Sequence, residues 1–144
     1  MLFGRKKRRI TRLLIVEDEP LVAFDTEHFL GEEGFEIVGT VDTVAAATGL
    51  IAAGMAIDLM LVDISLSDGS GIDVARAAYA AGICVMFVTG SCPSEAKEYA
   101  AGCLAKPYAL RTLVAAIATI EAVLDGGKRP KRLPVGFSLF LEAA

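Results

Sequence analysis

Two textures alternate along residues 13–125. Short apolar, β-branched runs occur at 13–17 (LLIVE), 36–41 (EIVGTV), 57–62 (IDLMLV), 83–88 (ICVMFV) and 102–105 (GCLA). Longer Ala-rich stretches of helical character separate them. A near-continuous apolar run such as ICVMFV suits a parallel strand buried on both faces, rather than a half-exposed strand with polar alternation. Strand and helix recurring about every 20–25 residues predict repeated β-α-β units wound into one sheet. The expected fold class is α/β, a doubly wound five-stranded parallel sheet.

Local signals set the helix limits. Pro20 suits the first turn of a helix over 20–33, with Val22, Ala23, Phe29 and Leu30 on one side and Gly34 past its end. Asp42 is placed to cap a helix over 43–53 that Gly54 stops. A helix over 72–81 follows the loop SDGSG and ends at Gly82. A short helix over 94–101 follows Pro93. The last helix, 109–125, carries Leu110, Leu113, Val114, Ile117, Ile120 and Leu124 at i, i+3/i+4 spacing and stops at Gly126-Gly127. Five β/α pairs make one domain over 13–127. Residues 1–12 form a basic arm, and residues 128–144 a basic, Pro-punctuated tail with an apolar end. Seventeen residues are too few for a core of their own.

Charge sharpens this division. The net charge is −4, yet residues 13–127 hold four of the 14 bases and 17 of the 18 acids, a net of about −13. Six bases fall in residues 1–12 and four in 128–132. So acidic a body argues against nucleic-acid binding by the domain itself. No apolar run approaches the roughly 20 residues of a membrane span. The start MLFGRKKRR followed by LLIV and then acids is not a secretory signal. Cys84, Cys92 and Cys103 show no CxxC spacing and do not pair evenly, which fits a reduced, cytoplasmic protein.

The stretch LLIVEDEP places Glu17, Asp18 and Glu19 side by side at the tip of a buried strand. Two carboxylates at about 4 Å repel by about 4 kcal/mol at an effective dielectric near 20, so such a tip is either well solvated or holds a cation. In an open parallel sheet, functional groups gather beyond the carboxyl ends of the strands. There this sequence puts Glu17 and Asp18 after the first strand, Asp63 after the third, Thr89 at the end of the fourth and Lys106 after the fifth. Three carboxylates with no Cys or His make an all-oxygen site suited to Mg²⁺ and unsuited to zinc. A divalent ion would cancel the repulsion and polarise an incoming phosphoryl group, with Lys106 and Thr89 on its other oxygens and Asp63 as the nucleophile.

The set LLIVEDEP, LMLVDISLSDGSG, MFVTG and LAKPY, in that order across 13–125, resembles the receiver domain of two-component response regulators. The resemblance implies a (βα)5, flavodoxin-like three-layer sandwich. It implies that Asp63 is the phospho-acceptor, that Asp18 ligates Mg²⁺ directly, and that Glu17 acts largely through water. The backbone carbonyl of Ser65 would be a further ligand, Thr89 the hydroxyl that moves toward the phosphoryl group, and Lys106 its ion-pair partner across a cis bond to Pro107. Such a domain is a phospho-acceptor rather than an enzyme in the usual sense, promoting its own Mg²⁺-dependent phosphorylation and dephosphorylation. Its partners would be a histidine kinase or phosphotransfer protein and a downstream protein. No DNA-binding module follows, so a stand-alone receiver is expected. MFVTG is similar to a subgroup carrying a Phe-Ala-Thr-Gly motif. Cys103 stands three residues before Lys106, where receivers often carry the aromatic switch residue. Gly90 and Pro93 then make the loop after the fourth strand the alternative carrier of conformational change.

Other features read more plainly. His28 falls on the side of its helix away from Val22 and Phe29 and reads as a partly exposed residue. The cysteines read as packing residues, with Cys92 in a loop and open to oxidation. GRKKRR reads as a solvated basic arm able to lie against the acidic body. FSLFL in the tail either packs on its own domain or docks on a partner or a second copy as a homodimer. A receiver-like binding module that no longer uses phosphate is the competing function. A flavodoxin-type redox protein is disfavoured, since VEDEP is not a Gly-rich phosphate cradle.

Overall fold

A computed structural model describes residues 8–141; Arg5, Lys6, Lys7 and Glu142 lie outside that range. In chain order the elements are β1 (Arg12–Val16), α1 (Pro20–Glu32), β2 (Glu36–Val41), α2 (Val44–Ala52), β3 (Leu59–Val62), β4 (Ser65–Leu66) and β5 (Gly69–Ser70). They continue with α3 (Gly71–Ala80), β6 (Cys84–Thr89), a 3-10 turn (Ser94–Glu98), β7 (Gly102–Ala105), α4 (Leu110–Leu124) and β8 (Phe137–Leu139). The main sheet runs β2-β1-β3-β6-β7-β8. Its first five strands are parallel, and β8 adds to the β7 edge antiparallel. The β4–β5 pair is a small separate hairpin.

Successive strand residues serve opposite faces, as the pleat requires. Leu13, Ile15, Leu59, Leu61, Met86 and Leu104 join α1 and α4 in one core. Leu14, Val16, Met60, Val62, Phe87 and Cys103 join α2, α3 and the 3-10 turn in the other. Both faces of the inner strands are thus dry, which is why those strands read as unbroken apolar runs. The result is the three-layer α/β fold expected from the sequence.

Three local expectations change. The helix expected over 94–101 is only the 3-10 turn Ser94–Glu98, because Ala101 already donates its N–H to Val85 O as the chain enters β7. The cap of α2 is Thr43, whose hydroxyl accepts from Ala46 N at 3.0 Å, and not Asp42. A second cap comes from afar: the Asp68 carboxylate accepts from Val44 N (2.7 Å) and Ala45 N (3.1 Å). The tail, finally, is not outside the domain. Phe137 and Leu139 are buried in the α1/α4 core, and Arg129 donates to Leu139 O at 3.1 Å. Gly102 permits this approach, since a Cβ there would lie 2.6 Å from the Phe137 ring. Of the two readings of FSLFL, packing on its own domain is the one observed.

The described end of the basic arm also lies on the body. Arg8 stacks over the Phe35 ring at 4.0 Å, Arg9 pairs with Asp125 at 3.0 Å, and Glu121 accepts from the backbone of Arg9 and Ile10. Asp58 fastens the start of β1, accepting from Thr11 N (3.0 Å), Thr11 Oγ1 (3.0 Å) and Arg12 N (2.8 Å). Partial burial pushes its carboxyl upward, but these donors outweigh it and hold the pKa below the ordinary 3.8. A depressed carboxylate stabilises the fold above its unfolded pKa and loses that contribution as pH falls through the folded value. Asp58→Ala is expected to lower stability by about 1 kcal/mol at pH 7. In urea melts the gap from the parent chain should narrow below the ordinary 3.8. Phe137→Ala, which empties a buried site under β8, should lower stability by about 3 kcal/mol at any pH.

Candidate functional site

The sheet order reverses at β1: β2 lies on one side and β3 on the other. The crevice beyond the carboxyl ends of β1 and β3 is where an open α/β sheet collects its ligands. Val16 stands opposite Val62, and Asp63 N donates to Val16 O at 2.9 Å. The next residues along, Glu17 and Asp63, are therefore neighbours. Both are nearly dry, Glu17 4% and Asp63 6% exposed. Asp18 is half-buried beside them, and ligand oxygens of Glu17, Asp18 and Asp63 all lie within 4.8 Å of one another.

Lys106 reaches this cluster from the end of β7, its backbone N–H fixed to Thr89 O at 2.8 Å and its bond to Pro107 cis. Its Nζ donates to Glu17 Oε1 at 2.8 Å and to Asp63 Oδ2 at 3.1 Å, with Glu19 Oε1 at 3.7 Å. Partial burial works against the ammonium. The hydrogen bonds and charges of Glu17 and Asp63 together outweigh it and hold its pKa above the ordinary lysine value. Burial likewise pushes the Glu17 carboxyl above its usual range, although the bond from Lys106 pulls the other way. One ammonium thus faces three carboxylates, two of them buried, with Asp18 a fourth acid beside them. That donor set, all oxygen and short of positive charge, fits a small hard divalent cation.

Thr89 is buried at the end of β6, 7% exposed, and among the described residues its hydroxyl makes only long contacts with Ser91, at 3.4 Å to its carbonyl oxygen and 3.5 Å from its N–H. Ser65 turns its backbone N–H onto Asp63 Oδ1 at 3.3 Å, while its side chain is exposed. Glu17, Asp18, Asp63, Thr89 and Lys106 therefore share one edge of the sheet, as their strand-end positions predict. His28 lies elsewhere, on the exposed face of α1 and stacked on Phe24.

Two supporting residues escape a reading by strand ends. Gly71 opens α3 under the site, and a Cβ there would sit 2.1 Å from the Asp63 carbonyl oxygen. Its own N–H donates to Ile64 O at 2.7 Å. Asp68, by capping α2, anchors the loop that leaves Asp63. The signal for both was present in SLSDGSG, where a glycine stands at the start of a helix and an acid stands in the loop before it.

Residues 13–118 match the family model of the response regulator receiver domain. The chain is 34% identical over 124 residues to the sensory transduction protein RegX3 of Mycobacterium tuberculosis, covering 82% of this chain and 52% of RegX3. It is 33% identical over 112 residues to the transcriptional regulatory protein PdtaR of the same organism, covering 74% and 54%. The phyllosphere-induced regulator PhyR of Methylorubrum extorquens is 39% identical over 64 residues, 44% of this chain and 24% of PhyR. The chain thus spans about half the length of RegX3 and PdtaR. Among solved structures, the CheY-like receiver domain protein from Methanospirillum hungatei superposes with a TM-score of 0.67 at 26% identity, over 76% of this chain and 91% of that one. The signal receiver domain of a modulated diguanylate cyclase from Desulfovibrio desulfuricans does so with a TM-score of 0.66 at 30% identity, over the same shares of 76% and 91%. Fold, site and sequence together place the chain in the response regulator receiver domain family, and it is a receiver of the two-component type. No helix among the described residues is long and apolar enough to cross a membrane.

Removing the ammonium from this site leaves two buried carboxylates facing each other. Lys106→Met is expected to lower stability by about 3 kcal/mol at pH 7, the order found when one partner of a buried pair is deleted. Adding Asp63→Asn to that variant should recover much of the loss, a coupling that a double-mutant cycle in urea measures directly.

Proposed function

We propose that this receiver accepts a phosphoryl group on Asp63 from the phosphohistidine of a histidine kinase or phosphotransfer protein in the cytoplasm, with Mg²⁺ as cofactor. The observation that carries this reading is the Lys106 ammonium, bound at once to Glu17 and Asp63 where three carboxylates converge.

An Asp63 carboxylate oxygen attacks phosphorus, the bond from phosphorus to the donor imidazole nitrogen breaks, and an aspartyl phosphate forms on this chain. Lys106 is already charged and hydrogen-bonded to the attacking group, so it holds the carboxylate in one orientation and then neutralises the new phosphoryl oxygens. Ser65 N–H restrains the second carboxylate oxygen. The Thr89 hydroxyl, weakly engaged by Ser91, is free to turn toward the phosphoryl group. Asp18 and Asp63, with the Ser65 carbonyl and with Glu17 behind water, are the groups that would hold Mg²⁺. The ion would supply the positive charge that Lys106 alone does not. On this reading the domain promotes a reaction on its own side chain and is not an enzyme with a separate substrate. A downstream protein then reads the phosphorylated form.

Incubation with acetyl phosphate and Mg²⁺ should label the parent chain, followed as a mass gain of one phosphoryl group. Asp63→Asn should abolish the label; equal labelling of that variant would refute the assignment. Mg²⁺ should raise the melting temperature of the parent, and Asp18→Ala should remove most of that shift.

A further inference from the structure

Outside the site, an open groove of about 460 Å³ separates α1 from β2 and shares no lining residue with the acids around Lys106. Phe24, His28, Phe35 and Ile37 line it, with Glu27 and Glu32. Phe24 is 61% exposed and stacks on His28 at 5.5 Å. Gly31 is the informative lining residue. It stands in the last turn of α1 with a negative φ, while Gly34, at φ 95°, is the glycine that turns the chain out of the helix. A Cβ on Gly31 would meet nothing within 4 Å. Neither backbone nor internal packing therefore requires glycine at 31, where alanine would make the more stable helix. What the bare backbone provides is room in the groove that Phe24, His28 and Phe35 share.

Charge and strand pairing say what fits that room. The segment 24–37 carries Asp25, Glu27, Glu32, Glu33 and Glu36, all exposed, and no lysine or arginine. Among the described residues, Glu27 and Glu32 have no ion-pair partner. Arg8 reaches Phe35 but is already engaged, stacked on the ring at 4.0 Å and donating to Glu33 O at 2.7 Å. The groove thus joins apolar surface to unanswered negative charge. On its other side stands β2, which among the described residues pairs with β1 alone. Alternate residues of such an edge strand turn their N–H and C=O outward, where an added extended chain can take them up.

We propose that this groove is a docking site for an extended, basic segment of another protein. The segment lies along β2, and every second residue points toward α1. On that side one large apolar residue enters the room left by Gly31. Lysines or arginines two positions before and after it meet Glu27 and Glu32. The apolar residue supplies the anchor, and the charges select basic segments over acidic ones.

This inference does not rest on phosphoryl transfer to Asp63, and its test needs no phosphate. The full chain is titrated with the synthetic peptide Thr-Lys-Thr-Phe-Thr-Lys-Thr, blocked at both ends, and followed by amide NMR shifts. Binding with a Kd of about 0.1 mM or tighter is expected, with shifts gathered at Phe24, Gly31, Ile37 and Thr40. The affinity should fall as salt is raised. Gly31→Phe, which fills the groove from a helical position open to solvent, should melt no lower than the parent and weaken binding about tenfold or more. Glu27→Lys combined with Glu32→Lys should weaken it as much. A peptide with glutamate in place of both lysines should not bind. No binding at about 1 mM peptide, unchanged affinity in both variants, equal binding of the glutamate peptide, or shifts centred on Glu17 and Asp63 would each overturn the proposal. Two other occupants would overturn it as well. If Gly31→Phe moves the amide signals of residues 2–7 with no peptide added, the groove serves the chain's own arm. If Gly31→Phe abolishes a concentration-dependent dimer in sedimentation, it serves a second copy.

Discussion

The register of β1 against β3 is the constraint on which the site depends. With Val16 opposite Val62, the two strands deliver Glu17 and Asp63 to the same level of the same crevice. A shift of one residue would turn either acid to the other face and break the apolar alternation of both cores at once. The repulsion between the acids is therefore imposed by the packing of the sheet, and Lys106 answers it. A buried ion pair of this kind adds little net stability, because desolvation offsets much of the attraction. Its value lies in holding two buried carboxylates in one fixed orientation.

The surroundings divide into a rigid side and a yielding side. Beyond Asp63 the chain is fastened repeatedly: Gly71 packs directly on the Asp63 carbonyl, the β4–β5 hairpin closes the loop, and Asp68 reaches across to α2. Beyond Thr89 the fastening is sparse. The hydroxyl has long contacts to Ser91, and one 3-10 turn stands where a helix was expected. A group that must be aimed sits on the first side, and a group that must turn sits on the second, which is how a rigid scaffold and a responsive loop divide such work.

The parallel strands were legible because burial on both faces leaves no polar positions to blur them; β2 and β7 begin and end where the pattern puts them. The acids and the lysine were legible because each directly follows an apolar strand. What escaped lies in contacts between distant segments. Ser94–Glu98 carries good helix formers, yet the short span to Ala101 leaves room for one 3-10 turn, so connection length overrode propensity. Thr43 and Asp42 are both competent caps, and only the backbone geometry decides between them. β8 has three residues and no strand signal of its own; it exists because Gly102 leaves space for Phe137.

The antiparallel β8 has a further consequence for how neighbours can approach. The strand that carries Lys106 would otherwise end the sheet and offer a row of free amides and carbonyls. Here Gly136 O, Phe137 and Leu139 already occupy that row, joined to the domain through a short tether from α4. A tethered strand competes at millimolar effective concentration, far above that of any visiting chain. Strand addition from outside at this border is therefore outbid, and recognition near Lys106 must be made by side chains. Among the described residues, the opposite border, β2, has no such guard.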